Sequence, residues 1–241
     1  MEWILSYSGD SISLWAWIRQ RVDAAGNTPT HWTTQIMSHP LTDAIAARNS
    51  ANFFDPARGL EDEQIHTLIS WATRAPTAFN LQNWRFIAVR SDAGKRRLRE
   101  LAWNQPKVTD AAVTFIVVGV LPQAAWTADR LQPSVAAGFM PAGMIPAWEA
   151  AASQLYTDAP QTQRDEAVRS ATFGASTLML AGQAQGLSAS PMTGFDPVGV
   201  AGAFGLRADE VPVMLVAMGY ATPANWPQKP RRPVSDVLEL A

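Results

Sequence analysis

Hydrophobic positions recur along this chain with two periods, and the switch from one to the other marks out most of the elements. Over Glu61–Arg74, Ile65, Leu68, Ile69 and Ala72 fall at the i, i+3, i+4, i+7 spacing of a helix packed on one face. A shorter helix precedes it at Leu41–Ala47. Pro76 cannot continue a helix. Beyond it, apolar Phe86 and Ala88 with β-branched Ile87 and Val89 predict a strand over Arg85–Arg90. Ser91 is placed to cap a basic helix running to about Trp103, and Ala112–Leu121 predicts a central strand. The segment from Pro122 to about Gln163 is rich in Pro, Met and Trp, and its helices, including one at Ile145–Tyr156, are hard to delimit. Asp165–Gln185 predicts a long helix that turns apolar nearly all round after Ala171 and should be buried. Ala171, Gly174, Ala175 and Gly182 would let another backbone approach it closely, within the chain or across a subunit interface. Further strands are expected at Ser188–Ser190 and Pro212–Tyr220, and an extended basic tail at Trp226–Pro233. Strands interleaved with helices, without regular βαβ repeats, predict an α+β fold.

The first 36 residues stand apart. They hold Trp3, Trp15, Trp17 and Trp32, and an amphipathic helix is possible over Ser11–Ala24, with Ile12, Trp15, Ile18 and Val22 near one face. They read either as an arm packed on a partner subunit or, preferably, as an appendage outside the chemistry, with Met37 as the natural beginning. The division is therefore an extension at 1–36 and one main domain at 37–241.

Composition narrows the function. Charged residues make up 17% and the formal net charge is −2, without long acidic or basic blocks, so nucleic acid is not expected as a partner. There is no cysteine, which removes disulfides, thiolate catalysis and sulfur-ligated metals. The longest apolar run, Ala111–Leu121, is about half the roughly 20 residues of a membrane span. MEWILSYSGD lacks the features of an export signal, so a cytoplasmic, membrane-free setting is expected.

Common catalytic motifs are missing. No GxGxxG or GxxxxGK[ST] phosphate cradle occurs, nor HExxH or GxSxG, and His31, His39 and His66 have no carboxylate partner at suggestive spacing. What remains is a polar junction, APTAFNLQNWRF at Ala75–Phe86, where Asn80, Gln82 and Trp84 alternate between a helix end and a strand. Arg48 and Ser50 lie after the first helix of the main domain, and Lys229 and Arg231 near the other end. Guanidinium, hydroxyl and ammonium donors suit a phosphate monoester, and amide side chains suit the imide edge of a heterocycle.

Five segments, in this order, carry a resemblance: ARNSANFF at Ala47, APTAFNLQNWRF at Ala75, AWNQPKVTDA at Ala102, SPMTGFDP at Ser190, and VPVMLVAMGYATP leading to KPRRP at Lys229. Together they resemble the FMN-dependent nitroreductases and related NAD(P)H:flavin or quinone oxidoreductases, over roughly Leu41–Val237. The resemblance implies a mostly antiparallel sheet surrounded by helices, with the long helix at the interface of a homodimer. It implies that Arg48, Ser50, Lys229 and Arg231 hold the FMN phosphate, with backbone contact from Asn49. Thr77, Ala78 and Asn80 would reach the flavin from the second subunit, and Pro76 beside them is implied as a further cofactor contact. Gln105, or its neighbour Asn104, would meet the pyrimidine edge. Pro191, Met192, Thr193 and Gly194 would flank the other rings, with a backbone N–H near N5.

The implied reaction is ping-pong: NADH or NADPH gives hydride to N5, and a nitroaromatic, quinone or flavin-type acceptor then takes it. No side-chain catalytic acid or base is implied, and no metal. Phe139, Met140, Met144 and Trp148 fall where relatives build a variable wall, although ordinary core packing fits them equally well. Asn52 departs from the pattern, since many relatives place Lys or Arg there, near flavin N1 and O2; a lower two-electron potential is the expectation. Asn83, where Pro is usual, and Thr193, where some relatives carry Glu, are further departures. Dehalogenation, flavin fragmentation, non-enzymatic flavin binding and a cofactor-free dimeric module remain alternatives.

Overall fold

The computed structural model describes residues 39–241, and the expectations made for residues 1–36 lie outside them. Helices α1 (Pro40–Ala47) and α2 (Asp62–Ala72) lead to strand β1 (Trp84–Val89). Then come α3 (Asp92–Leu101), α4 (Lys107–Asp110), β2 (Val113–Val120), α5 (Thr127–Ala136), α6 (Ile145–Tyr156) and α7 (Pro160–Ala184). The chain continues through β3 (Ser188–Met192), α8 (Pro197–Ala203) and β4 (Glu210–Gly219).

The four strands form one sheet in the order β1-β2-β4-β3, every neighbouring pair antiparallel. Because successive side chains of a strand point to opposite faces, the two middle strands serve two cores at once. Ile116, Val118, Leu215 and Ala217 meet Leu98 of α3, Val108 of α4 and Val200 of α8. Val113, Phe115, Val117, Val216 and Met218 meet Leu68 of α2 with Ala171 and Leu178 of α7. Every residue of β2 is buried, which is why it reads as one unbroken apolar run.

Small residues bring α7 onto the sheet. A Cβ at Gly119 of β2 would strike the backbone carbonyl of Ala167, and one at Gly174 would lie 2.9 Å from the Phe86 ring. Trp84 and Phe86 pack beside that glycine with their rings 6.4 Å apart, so Trp84 anchors the junction. Asn83, in place of the usual Pro, is buried and donates from Nδ2 to the Val120 carbonyl at 3.0 Å, tying the start of β1 to the end of β2.

Some boundaries move. Helix α7 begins at Pro160 rather than Asp165, using proline where a first-turn N–H has no partner anyway. Its burial is also one-sided: Ala171, Gly174, Ala175 and Leu178 are covered, whereas Phe173 is 48% exposed. Strand β3 runs on to Met192 and β4 starts at Glu210. Pro212 is tolerated inside β4 because the register shifts between Val117 and Val118, a bulge that relieves the ladder bond proline cannot make. Helices α5, with Pro133 inside it, and α8, with Gly199 and Gly202, were hidden by residues of low helix propensity. Asp196 caps α8, accepting from Val198 N at 3.0 Å.

Glu210 joins three segments. Its carboxylate accepts a bidentate pair from Arg85, both bonds 2.7 Å, and the Arg207 backbone N–H at 2.8 Å. Burial alone would raise its pKa; the hydrogen bonds and charges of Arg85 and Arg207 outweigh that and hold it below the ordinary 4.5. Glu210→Gln is expected to lose about 1 kcal/mol at neutral pH, a modest figure because both arginines are partly exposed. A group with a depressed folded pKa stabilises above its unfolded value. The gap between wild type and variant in urea denaturation should therefore be full above about pH 4.5 and close as pH falls through the lower folded value.

Candidate functional site

Residues 48–54 form a strap along the sheet edge. Ser50 makes a parallel bridge with Ala189 of β3, and Ala51 N donates to the Ala189 carbonyl at 3.1 Å. Ala51 and Phe54 point into the core, which fixes the strap and leaves Ser50 exposed and Asn52 half-buried. The tail beyond β4 zips along the same strap. Thr222 N donates to the Phe53 carbonyl at 3.1 Å, and the Asn225 side chain accepts from Asn52 N at 2.6 Å and Phe53 N at 3.0 Å. Asn49 Nδ2 donates to the Trp226 carbonyl at 3.0 Å, and Gln228 Nε2 to the Arg48 carbonyl at 2.8 Å. The outcome is a recess lined by Ser50, Trp226, Gln228, Lys229 and Arg231. Arg48 adjoins it through Gln228.

A second junction lies between the loops after α3 and β3. Gln105 Nε2 donates to the Gly194 carbonyl at 3.0 Å, and Asp196 N to the Leu101 carbonyl at 2.8 Å. The Trp103 ring lies against Gly194, and a Cβ there would come within 2.6 Å of Cζ3, so a larger residue would displace the exposed indole. Met192, one of the loop residues implied beside the flavin, is 6% exposed and its side chain packs in the core. Alternation along β3 is the reason, leaving Pro191 exposed; Thr193, just beyond the strand, is exposed too.

Lys107, the first residue of α4, links the two junctions. Its ammonium donates to Asn52 Oδ1 and to Ser190 Oγ, each at 3.2 Å. Burial first, and the nearby Lys229 charge second, hold its pKa below the ordinary lysine value.

Pro76, Thr77, Ala78 and Asn80 are not drawn into this cluster. They belong to a tight turn in which Thr77 Oγ1 accepts from Gln82 N at 3.0 Å and Asn80 Oδ1 accepts from Gln82 Nε2 at 3.4 Å. Phe79 anchors the turn on α6, its ring edge-on to Trp148 at 6.2 Å and to Tyr156 at 6.0 Å. Phe79, Asn80 and Gln82, like Trp103 and Asn104, hold left-handed backbone without being glycine. Such strain persists where surrounding structure enforces it and concentrates at functional segments. Of the proposed wall, Trp148 is thus half committed to packing, while Phe139 is 85% exposed.

Sequence reasoning singled out the strap, the loops and the tail, but missed Asn225, Gln228 and Lys107. The first two act through long-range hydrogen bonds that leave no periodic signal. Lys107 was visible within AWNQPKVTDA, where the amide beside it took the attention.

A family model described as the nitroreductase family matches residues 45–220. DrgA of Synechocystis is 37% identical over 185 residues, covering 75% of this chain and 83% of its own length. An NADH dehydrogenase of Thermus thermophilus is 31% identical over 179 residues, covering 72% and 83%. Among solved structures, a candidate nitroreductase of Exiguobacterium sibiricum in complex with FMN superposes with a TM-score of 0.78 at 27% identity, covering 85% of this chain and 98% of that one.

Proposed function

The chain belongs to the nitroreductase family, and on that premise we propose that it is an FMN-dependent NAD(P)H oxidoreductase acting on nitroaromatic, quinone or flavin-type acceptors by a ping-pong mechanism. The observation that carries this reading is the zipped strap and tail: Arg48–Ser50 hydrogen-bonded to Trp226–Gln228, so that Ser50, Lys229 and Arg231 face one recess. These residues fit FMN. The recess presents a hydroxyl and two cations, as a phosphate dianion requires, and the neighbouring loops present an amide and a close-packed glycine backbone, as a flat heterocycle requires.

When bound, FMN supplies two-electron chemistry, taking hydride at N5 from NADH or NADPH and passing it to the acceptor. The protein's part is positional. Arg48, Ser50, Lys229 and Arg231 hold the phosphate, with Asn49 contributing its backbone. Gln105 orients the pyrimidine edge while its own tie to Gly194 keeps the two loops in register. Asn52 adds a polar contact at the same edge. The backbone of Pro191–Gly194 would flank the remaining rings, and no side chain is assigned as acid or base. Rate then depends on distance and alignment.

The second subunit completes the site. The uncovered face of α7, with Trp71, Leu180, Ala181 and Ala184 around an apolar groove, is the surface on which a second copy docks. Pro76, Thr77, Ala78 and Asn80, held on α6 and away from the strap, serve the partner's flavin. Among the described residues no helix is long and apolar enough to cross a membrane.

Purified protein should be yellow, bleach anaerobically with NADH or NADPH, and regain colour with quinones or nitroaromatics. Failure to bleach with either nucleotide would remove the oxidoreductase reading. Arg231→Ala should weaken FMN binding roughly 10- to 100-fold, the worth of one charge-assisted hydrogen bond at about 1.5–3 kcal/mol. Quenching of free FMN fluorescence by apoprotein measures it.

A further inference from the structure

We infer that Asn225 is a positioning residue for the phosphate recess: its side-chain amide stands in for backbone where the strap and the tail stop pairing, and so sets Lys229 and Arg231 opposite Ser50. The inference rests on the FMN reading above and concerns only its phosphate end.

Strap and tail begin as an antiparallel pair. Phe54 bridges Ala221, Asp55 N donates to the Tyr220 carbonyl at 2.8 Å, and Thr222 N donates to the Phe53 carbonyl at 3.1 Å. The bond that would complete this last rung, from Phe53 N to the Thr222 carbonyl, is replaced. Pro223 has no N–H to continue a ladder, and the chain turns there, bringing Asn225 N to 3.4 Å from the Thr222 carbonyl. The Asn225 side chain is thereby inserted into the rung. Its Oδ1 accepts from Phe53 N at 3.0 Å and from Asn52 N at 2.6 Å, while its Nδ2 donates to the Thr222 carbonyl at 3.0 Å and to the Phe53 carbonyl at 2.6 Å. Two acceptor and two donor positions are all that a carboxamide has, and all four are used. The partners also fix its orientation, since a flipped amide would set its NH2 against two N–H donors.

Location gives the amide its role. Ser50 and Ala51 hold the strap on β3 independently of the tail. Past Thr222, among the described residues, the hydrogen bonds joining tail to strap are those of Asn225 and two from exposed side chains, Asn49 to the Trp226 carbonyl and Gln228 to the Arg48 carbonyl. Removing the amide therefore leaves the strap in place and loosens the tail, so that Lys229 and Arg231 lose their fixed place in the recess with Ser50. The parts assigned to the flavin rings are tied separately: Gln105 to Gly194, and the Asn52 side chain to Lys107.

Riboflavin differs from FMN only in lacking the phosphate, so the ratio of their two dissociation constants reads the recess alone. Quenching of flavin fluorescence measures both for apoprotein of wild type, Asn225→Ala and Asn225→Asp. Wild type should prefer FMN, and Asn225→Ala should shrink that preference by at least about tenfold while riboflavin affinity stays near wild type. Asn225→Asp keeps the shape of the amide but turns a carboxylate, with no donor, on two carbonyls. It should shrink the preference as much, and it takes the place of Asn225→Ala should that variant not fold. A folded variant with the wild-type ratio, whether both affinities hold or both fall together, overturns the inference and leaves the FMN reading standing. Wild-type apoprotein that takes up no FMN, or takes up riboflavin as tightly, overturns the phosphate reading of the recess and the inference with it.

Discussion

A Leu180→Arg variant is expected to sediment as a monomer and to lose FMN in the same step. Leu180 lies half-buried in an open apolar groove of about 410 Å³ on α7, with Leu41 of α1, Trp71 of α2, Ala181 and Ala184. A guanidinium there leaves the folded protomer intact, because it reaches water when the protomer is alone. In a dimer it would be buried twice, once per copy, without a counter-charge. Several kcal/mol is the usual consequence of an unpaired buried charge, and about 4 kcal/mol already shifts an association constant roughly a thousandfold. Because Thr77, Ala78 and Asn80 are assigned to the partner's flavin, the monomer should hold FMN poorly even though its strap and tail are untouched. Analytical ultracentrifugation and FMN titration decide it. A monomer with normal affinity would sink the shared site; an unchanged dimer would sink the placement of the interface.

Gly119→Val should prevent stable folding. Gly119 sits in β2 opposite Trp84 and Val211, and its missing side chain is what allows the Ala167 carbonyl of α7 to approach the sheet. Backbone on both sides cannot rotate away as a side-chain tip can. Overpacking of this kind costs typically 1–3 kcal/mol where side chains yield and more where they do not, against a total stability of about 5–15 kcal/mol. Gly143→Ala is the control: a Cβ there meets nothing within 4 Å, and its denaturation midpoint should stay near wild type. Urea denaturation followed by circular dichroism compares the two.

The elements readable from sequence were those whose period is set by a single core. Helix α2 and strands β1 and β2 bury one face or both against fixed neighbours, so their apolar spacing states their structure. Helix α7 was legible as a helix but not in its burial, because spacing records that a face is apolar and not whether the same chain covers it. Helices α5 and α8 were lost to Pro133 and to Gly199 and Gly202, where tertiary packing overrides propensity. The candidate site was legible only as a set of motifs. Arg48, Ser50, Lys229 and Arg231 carry no sign in their local sequence that Asn49, Asn225 and Gln228 will join their two segments. The contacts of Lys107 with Asn52 and Ser190 were hidden for a related reason: they join residues 55 and 83 positions apart, which local spacing does not record.

The zipped strap and tail also impose an order on biosynthesis. Asn49 reaches Trp226, and Gln228 reaches Arg48, across sequence separations of 177 and 180 residues. A chain emerging from the ribosome has made its strap early but cannot close the recess until the tail has followed, after β4 is complete. Long-range closure of this kind is among the slowest events in folding. If the recess holds FMN as proposed, capture of the cofactor has to wait for both of its halves. Loading then adds its own hold, about 2.7 kcal/mol when free cofactor is a hundredfold above its dissociation constant. On the FMN reading, a chain clipped before Trp226 should be colourless and lack that reinforcement.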